Sequence, residues 1–440
     1  MVKLEEHKHQ TQDKPIEKMP QPAKAYIPLS QHLGKICSPK VLVGDSVFTG
    51  QKIASSEAAV SAPIHSSISG KVVAIQEWPH PVLGRCKTIV IESDGLDRRP
   101  SSIVHRPSEA IDRLNAEQIR NIVFEAGIVG MGGASFPTHI KLKPPKPVDT
   151  LIINGAECEP YLTSDYRLMV EKTKEILLGI ELVAKCLGVK NVYIAVEDNK
   201  PEAIERFRVQ GSPAKLSITE AGSRLCRERF RVQVLKSQYP QGGEKQLIKN
   251  LLGKEVPQGK LPFDIGVVVH NVATCLAIYE AVYLNKPLYE RVVTVTGSRL
   301  SNPKNLLVRI GTPIKELMDF CGPLKEEPTK IVIGGPMMGI AQYTTEVPVI
   351  KSTTGVILFD EKEAKEQEEA FCIRCGACIR ECPVNLMPCL INLASEKELW
   401  MQAKEYGVLD CIECGLCSYV CPANRSLVQS IKRAKLEVTK

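Results

Sequence analysis

From Tyr26 to about residue 95, apolar residues come in short runs separated by turn residues at Gly34-Lys35, Val43-Gly44-Asp45, Thr49-Gly50 and Ser69-Gly70-Lys71. Short β-rich runs with a turn roughly every 8 to 12 residues predict a small all-β unit. Between 110 and 290 the period changes. Helical spacing (Ala116 to Ala126, Leu168 to Leu187) alternates with continuous apolar runs (Thr150 to Asn154, Asn191 to Val196, Ile265 to Val269). That alternation predicts an α/β domain with a largely parallel sheet, whose ligands sit at the carboxyl ends of the strands. From 291 to 345 short strands (Val292 to Thr296, Ile331 to Gly334) flank one helix (Pro313 to Cys321), the pattern of a small β-grasp unit. Glu361 to Glu369 is charged or small and reads as a solvated linker or helix start, and residues 346–366 are expected to be a linker. Residues 367–440 form a last module, with a helix predicted from Asn392 to Tyr406.

The two ends of the polarity scale exclude other classes. Residues 1–25 are polar, carry Glu5, Glu6 and Asp13, and lack the apolar core of a signal peptide; a disordered tail is expected, with His7 and His9 in no metal site. The apolar stretch Ile265 to Leu284 is interrupted by His270, Asn271 and Glu280 and falls short of the ~18 uninterrupted residues of a membrane span. The expectation is a soluble chain that meets a membrane only through partners. At 440 residues, 43% hydrophobic and 24% charged, it should hold two to four domains. The net charge of +7 is scattered, with one small cluster at Lys432, Arg433, Lys435 and Lys440, and aromatics make up only 5%. No basic stretch interleaves them as in a nucleic-acid groove.

Cysteine changes the picture most. Cys372-x-x-Cys375-x-x-Cys378-x-x-x-Cys382-Pro383 is repeated as Cys411-x-x-Cys414-x-x-Cys417-x-x-x-Cys421-Pro422. Three thiolates two residues apart can wrap one face of a cubane cluster, and in this arrangement the fourth cysteine of each run ligates the other cluster. The expected quartets are Cys372, Cys375, Cys378 and Cys421 for one [4Fe-4S] cluster, and Cys411, Cys414, Cys417 and Cys382 for the second. Zinc knuckles and disulfide frameworks do not demand this spacing twice. The other eight of the sixteen cysteines show no framework, which fits a reducing cytosol.

A second chemistry lies in the α/β segment. Gly130-Met131-Gly132-Gly133-Ala134-Ser135-Phe136-Pro137-Thr138 is a glycine run that lets backbone N–H groups approach a phosphate, with Lys141 available to neutralise it. It is neither a dinucleotide fingerprint nor a Walker loop, and alone it also fits a flexible turn. Asn154-Gly155-Ala156-Glu157-Cys158-Glu159-Pro160 follows an apolar strand, where amide and carboxylates can bind a ribityl chain, a flavin edge or ribose hydroxyls; an acidic turn is the plainer reading. Tyr239-Pro240-Gln241-Gly242-Gly243-Glu244-Lys245 opens a helix, and His270-Asn271-Val272-Ala273-Thr274 closes a strand. Cys158 is read as structural.

Two resemblances follow from these residues. Val43 to Val47 and Ala62 to Val72 look like the halves of a biotinyl/lipoyl-type barrel-sandwich hybrid, unmodified because its hairpin, Ser55 to Val60, has no lysine; an unrelated β-sandwich is the alternative. Gly-x-Gly-Gly-Ala-x-Phe-Pro-Thr-x-x-Lys followed by Asn-x-x-Glu-x-Glu-Pro is similar to the flavin- and NADH-binding subunit of respiratory complex I. The whole order, over about residues 26 to 425, resembles the C-subunit family of Rnf electron-transport complexes. It implies a multidomain α/β protein: barrel-sandwich hybrid (26–95), complex I flavoprotein-like α/β FMN domain (110–290), β-grasp of SLBB type (291–345) and an α-helical two-cluster ferredoxin domain (367–440).

The resemblance further implies non-covalent FMN held by Gly130, Gly132, Gly133, Lys141, Asn154, Glu157, Gly243, Glu244, Asn271 and Thr274. NAD(H), the substrate, would stack on Phe136 and contact Glu159, Lys260 and Phe263. Ala156 and Lys245 depart from the complex I pattern, where an aspartate and a glutamate stand. A flavin would join two-electron hydride chemistry to one-electron clusters. The implied role is a peripheral subunit, on the cytoplasmic side of the bacterial membrane, of a ferredoxin:NAD+ oxidoreductase coupled to Na+ or H+ transport. Its implied partners are a ferredoxin-accepting iron–sulfur subunit and integral membrane subunits. A corrinoid reductase of propanediol utilisation is the runner-up, disfavoured by the N-terminal place of the barrel-sandwich, and a non-catalytic electron relay is the third reading.

Overall fold

The computed structural model describes residues 1–100, 106–210, 230–364 and 368–440; Cys226 and part of the charged stretch 361–369 lie outside them. Residues 24 to 93 form two facing antiparallel sheets. One carries the strands Lys24–Pro28, Gly84–Ser93, Gly70–His80 and Ser46–Val47, the other Ser38–Pro39, Lys52–Ser55 and Ile64–His65. Ile27, Ile53, Ile64, Ile68, Ile89 and Ile91 fill the space between them and are fully buried. The small all-β unit read from the turns is present, as the two-sheet sandwich that the resemblance implied.

The α/β domain is built on four parallel strands in the order Phe230–Leu235, Asn191–Glu197, Thr150–Gly155, Val267–Asn271. Strands buried on both faces need no polar alternation, which explains the continuous apolar runs. The helices Ala116–Glu125, Thr173–Leu187 and Val272–Leu284 pack into one core through Ile119, Val123, Ile176, Ile180 and Ile278. Asn115 caps the first of these with a reciprocal bond to Gln118. The predicted helix from Leu168 to Leu187 is two, Ser164–Glu171 and Thr173–Leu187, broken at Lys172.

Residues 1–25 are not a disordered tail. Ile16–Lys18 is the edge strand of a six-stranded sheet and lies parallel to Lys304–Arg309. Met19 is buried in that unit's core, and Lys8 and Thr11 are buried against the α/β domain. Polar composition misled because these side chains find partners far away in sequence: the Lys8 Nζ donates to the carbonyls of Glu157 and Leu162, both at 2.7 Å.

The linker at 346–366 is also corrected. Gly355–Phe359 is fully buried in the middle of the β-grasp sheet, between Glu290–Thr296 and Lys330–Ile333. Its apolar run Val356 to Phe359 supplies both faces, so the unit extends well past residue 345. The charged segment begins with the short helix Glu361–Ala364.

The domains meet closely. Lys351, fully buried, donates its ammonium to the carbonyls of Pro63 (2.7 Å) and Gly127 (2.6 Å), joining barrel-sandwich, β-grasp and α/β domain. Burial lowers its pKa to about 7. Gly127, at φ +65°, must be glycine here, since a Cβ would stand 2.2 Å from the Pro63 oxygen.

In the last module the helix expected from Asn392 to Tyr406 is broken. Pro388–Glu396 and Trp400–Glu405 are separated by a turn in which Glu398 takes φ 55°. With Leu427–Thr439 they form a small core around Ile391, Ala403, Val408 and Ile431. Among the described residues no helix is long and apolar enough to cross a membrane.

Candidate electron-transfer site

The glycine loop leaves the core as a narrow hairpin. Gly130 N–H donates to the Phe136 carbonyl at 2.9 Å, Thr138 N–H to Ile128 at 3.0 Å, and Met131 N–H to the Thr274 hydroxyl at 3.0 Å. Gly132, Gly133 and Ala134 form its exposed tip. A Cβ on Gly132 would meet the Asn271 side-chain nitrogen at 2.7 Å, whereas one on Gly133 would meet nothing within 4 Å. The tip therefore presents backbone on an open side, with the Lys141 ammonium at the end of the next short helix, Thr138–Lys141.

The other expected residues converge on this tip from the carboxyl ends of the parallel strands. Asn154 ends the strand Thr150–Gly155 and donates to the Gly242 carbonyl at 2.8 Å, fixing the second glycine turn. Gly243 is the N-cap of the helix Glu244–Leu252, and Glu244 pairs with Lys141 at 2.6 Å. Asn271 caps the helix Val272–Leu284, accepting from Ala273 N–H at 2.8 Å, and donates to Asp165 at 2.6 Å. Two helix N-termini and a lysine bordering an exposed glycine tip form a fitting cradle for a phosphate-bearing flavin.

Glu157, at φ 48°, accepts from the N–H groups of Asp165 (2.7 Å) and Tyr166 (3.1 Å), so its carboxylate holds the start of the helix Ser164–Glu171. Glu159 accepts from the N–H groups of Met337 (3.1 Å) and Met338 (2.9 Å) in a β-grasp turn, and burial raises its pKa to about 7. Cys158 accepts from Gly242 N–H at 3.2 Å; burial pushes its thiol up to about 12, in keeping with a structural role.

Two expected residues, Lys260 and Phe263, stand on the segment that leads into the strand Val267–Asn271. Phe263 lies in the turn Pro262–Ile265 that runs into the start of the strand Val267–Asn271, the opposite edge of the sheet from Asn271, roughly 13 Å of extended chain away. Exposed Lys260 sits on the same segment, where Gly259 N–H reaches Asp410 of the cysteine module at 3.4 Å. Asp165 was missed by sequence reading. It is buried beside Glu157, Asn271 and Arg291, and burial followed by the Glu157 charge raises its pKa. Its only signal is its place in the acidic segment that follows Asn154.

The cysteine module brings together the thiols of one crossed set and, of the other, Cys378 and Cys421, with Cys389 also beside Cys378. Cys382 lies within electrostatic reach of Cys411, Cys414 and Cys417, and Cys421 of Cys378. Cys382, Cys411, Cys414 and Cys417 border one apolar pocket, lined also by Leu386, Ile412 and Ile431. Among the described residues no three His, Cys, Asp or Glu side chains close on a single ion; this quartet surrounds a space instead. An all-sulfur set round an apolar cavity suits an iron–sulfur cubane. Cys372 and Cys375 of the other quartet are exposed, beside Phe371 (93% exposed) and Ile373 (67%).

The two sites touch. The Tyr239 hydroxyl, on the loop before Gly242, donates to the Cys414 carbonyl at 2.8 Å, and the Gln246 amide donates to the Pro383 carbonyl at 2.8 Å. Tyr239, Cys414 and Leu416 share one small apolar cluster with Met337 of the β-grasp turn. The quartet at the pocket is therefore seated on the glycine-turn loops, and Cys372 and Cys375 of the other are exposed while Cys378 is buried.

An α/β nucleotide cradle docked on a module of two crossed cysteine quartets defines a multidomain flavin and iron–sulfur electron-transfer protein. Family models match in the same order: an RnfC barrel-sandwich hybrid domain over residues 2–96, a Nuo51 FMN-binding domain over 123–280, an SLBB domain over 292–341 and a 4Fe-4S dicluster domain over 364–422. The chain is 46% identical to the C subunit of the proton-translocating ferredoxin:NAD(+) oxidoreductase complex of Clostridium ljungdahlii, over 99% of this chain and 93% of that one. It is 43% identical to the Na(+)-translocating counterpart of Acetobacterium woodii, over 98% of this chain and 94% of that one. It belongs to the family of C subunits of ion-translocating ferredoxin:NAD(+) oxidoreductase complexes. A crystal structure of an NAD+-reducing [NiFe]-hydrogenase in the H2-reduced state shares the fold, with TM-score 0.50 and 17% identity over 76% of this chain and 63% of that chain.

Proposed function

We propose that the chain exchanges electrons between NAD(H) and two [4Fe-4S] clusters through FMN, as the C subunit of a membrane-bound ferredoxin:NAD+ oxidoreductase coupled to ion transport. The contact of Tyr239 with Cys414 carries the reading, because it joins the loop before Gly242 to the second cysteine run and so supports a short path between flavin and cluster. FMN, when bound, supplies the conversion between hydride and single electrons. The chain's own residues do the rest. Gly130, Gly132 and Gly133 give the phosphate a backbone surface, Lys141 supplies positive charge, and Asn154 and Asn271 fix the loops around it. Phe136, half-buried beside the tip, offers a ring for the nicotinamide.

The quartet Cys382, Cys411, Cys414 and Cys417 would hold the cluster on the flavin side, and Cys372, Cys375, Cys378 and Cys421 would hold the other, each able to carry one electron. The exposed apolar rim of Phe371 and Ile373 marks the outward quartet as the place where the ferredoxin-accepting partner docks. Ion transport belongs to the integral membrane partners, and the chain sits on the cytoplasmic side, where NADH is available. Its similarity to C subunits along almost its whole length favours this reading over a corrinoid reductase. The test is anaerobic purification with iron and flavin assay: FMN near one per chain and about eight irons, four per cubane, are expected. Bound zinc without iron, or clusters without flavin in every preparation, would overturn it.

A further inference from the structure

The first dozen residues run as a strap across both halves of the proposed electron path. Val2 and Tyr239 exchange backbone hydrogen bonds of 3.0 and 2.8 Å, the same Tyr239 whose hydroxyl reaches Cys414. Val2 and Leu4 pack onto the apolar cluster of Tyr239, Cys414 and Leu416. Two residues on, the Glu6 carbonyl accepts from Tyr161 N–H at 2.8 Å, and the His7 ring stacks on Tyr161 at 4.6 Å. Lys8, 6% exposed, then bonds the carbonyls at both ends of the acidic segment, Glu157 and Leu162. Thr11 anchors the far end, sharing a 2.7 Å hydroxyl contact with Thr163 and giving its carbonyl to the Asn305 amide at 2.8 Å.

A segment needed only to complete the β-grasp sheet would end at its strand, Ile16–Lys18. This one continues to the contact between glycine turn and cysteine cage. A buried ammonium bonded to two carbonyls cannot shift without leaving a charge or two acceptors unsatisfied, which costs far more than an exposed tether would. We infer that residues 2–12 are a positioning strap that fixes the flavin-side quartet against the flavin loops, with Lys8 its positioning residue. The inference rests on the electron path proposed above. The bonds of the strap go to Tyr239, Tyr161, the backbone of Glu157 and Leu162, Thr163, Arg167, Thr296 and Asn305, which are neither the glycine tip nor the quartet thiols, so its effect falls on the separation between the two centres.

The experiment uses the full holo-chain and two variants. Lys8→Met keeps the stem and removes the donors; Val2→Pro removes the N–H that meets the Tyr239 carbonyl. Two rates are compared: NADH:ferricyanide turnover, which draws electrons at the flavin, and reoxidation of chemically reduced clusters by NAD+, which needs transfer between the centres. With FMN and iron contents as in wild type, turnover should be unchanged and reoxidation should slow severalfold. If Lys8→Met loses cofactor, Val2→Pro decides. Loss of cofactor in both variants, or reoxidation as fast as wild type in both, would overturn the strap alone. No reoxidation in flavin-replete wild type would overturn the electron path as well.

Discussion

Gly133 separates a ligand effect from a folding effect. Its added Cβ would have no protein atom within 4 Å, and its backbone lies outside the left-handed region, so Gly133→Val should leave the apoprotein as stable as wild type. If the tip cradles a phosphate, the new side chain stands where the phosphate approaches. Losing one N–H bond to a charged group costs about 1.5 to 3 kcal/mol, which is on the order of tenfold to a hundredfold in Kd. Gly132→Val is the contrasting case, because there the Cβ overlaps the Asn271 side chain. Disturbing that N-cap costs about 1 kcal/mol of stability even without flavin. The assay is fluorescence titration of apoprotein with FMN, paired with thermal unfolding of the same samples. Weakened binding at unchanged apo Tm for Gly133→Val, and a lowered apo Tm for Gly132→Val, are expected. Unaltered FMN affinity in Gly133→Val would refute the cradle.

The remaining predictions concern the nicotinamide, the clusters and pH. Phe136→Ala should raise the KM for NADH severalfold at unchanged FMN content, since a stacked ring contributes on the order of 1 kcal/mol; steady-state ferricyanide reduction reads it, and unchanged KM places the nicotinamide elsewhere. Cys378→Ala and Cys414→Ala should each lower iron by about four per chain, but only Cys414→Ala should abolish cluster reoxidation by NAD+; equal effects would mean that neither quartet is closer to the flavin. The Glu159 carboxyl is raised from 4.5 to about 7 by burial. The folded apoprotein then holds a proton that the unfolded chain has released, so this group's contribution to stability falls as pH rises from about 4.5 to about 7 and levels off above. Glu159→Gln should flatten that part of the stability profile in denaturant titrations, and an unchanged slope would assign it to other groups.

What the sequence revealed depended on how local each constraint is. The cysteine quartets were legible because ligation of a cubane imposes spacing within a dozen residues, and the parallel strands because burial on both faces removes polar alternation. The edge strand Phe230–Leu235 alternates buried and exposed positions only weakly and escaped notice. The strap was illegible for the opposite reason: Lys8 and Thr11 are polar residues whose partners, Glu157, Leu162 and Thr163, lie about 150 positions away. Gly355–Phe359 looked like the end of a linker because its neighbours in the sheet are set by topology. At the site, the strand ends and helix starts expected at Asn154, Gly243 and Asn271 are where the sequence pattern put them. Lys260 and Phe263, carried over by resemblance alone, sit by a short turn at the amino-terminal end of the strand Val267–Asn271.

The central claim is that this single chain carries electrons between NAD(H) and its clusters through the flavin. Its most direct test is to mix anaerobic, chemically reduced holo-chain with NAD+ in a stopped-flow instrument and follow NADH formation and cluster absorbance together, beside a flavin-stripped sample with clusters intact. The account predicts NADH formed in step with cluster reoxidation in the holo-chain, and none in the stripped sample until FMN is restored. NADH formed equally well without flavin, or clusters that stay reduced in flavin-replete protein, would contradict it.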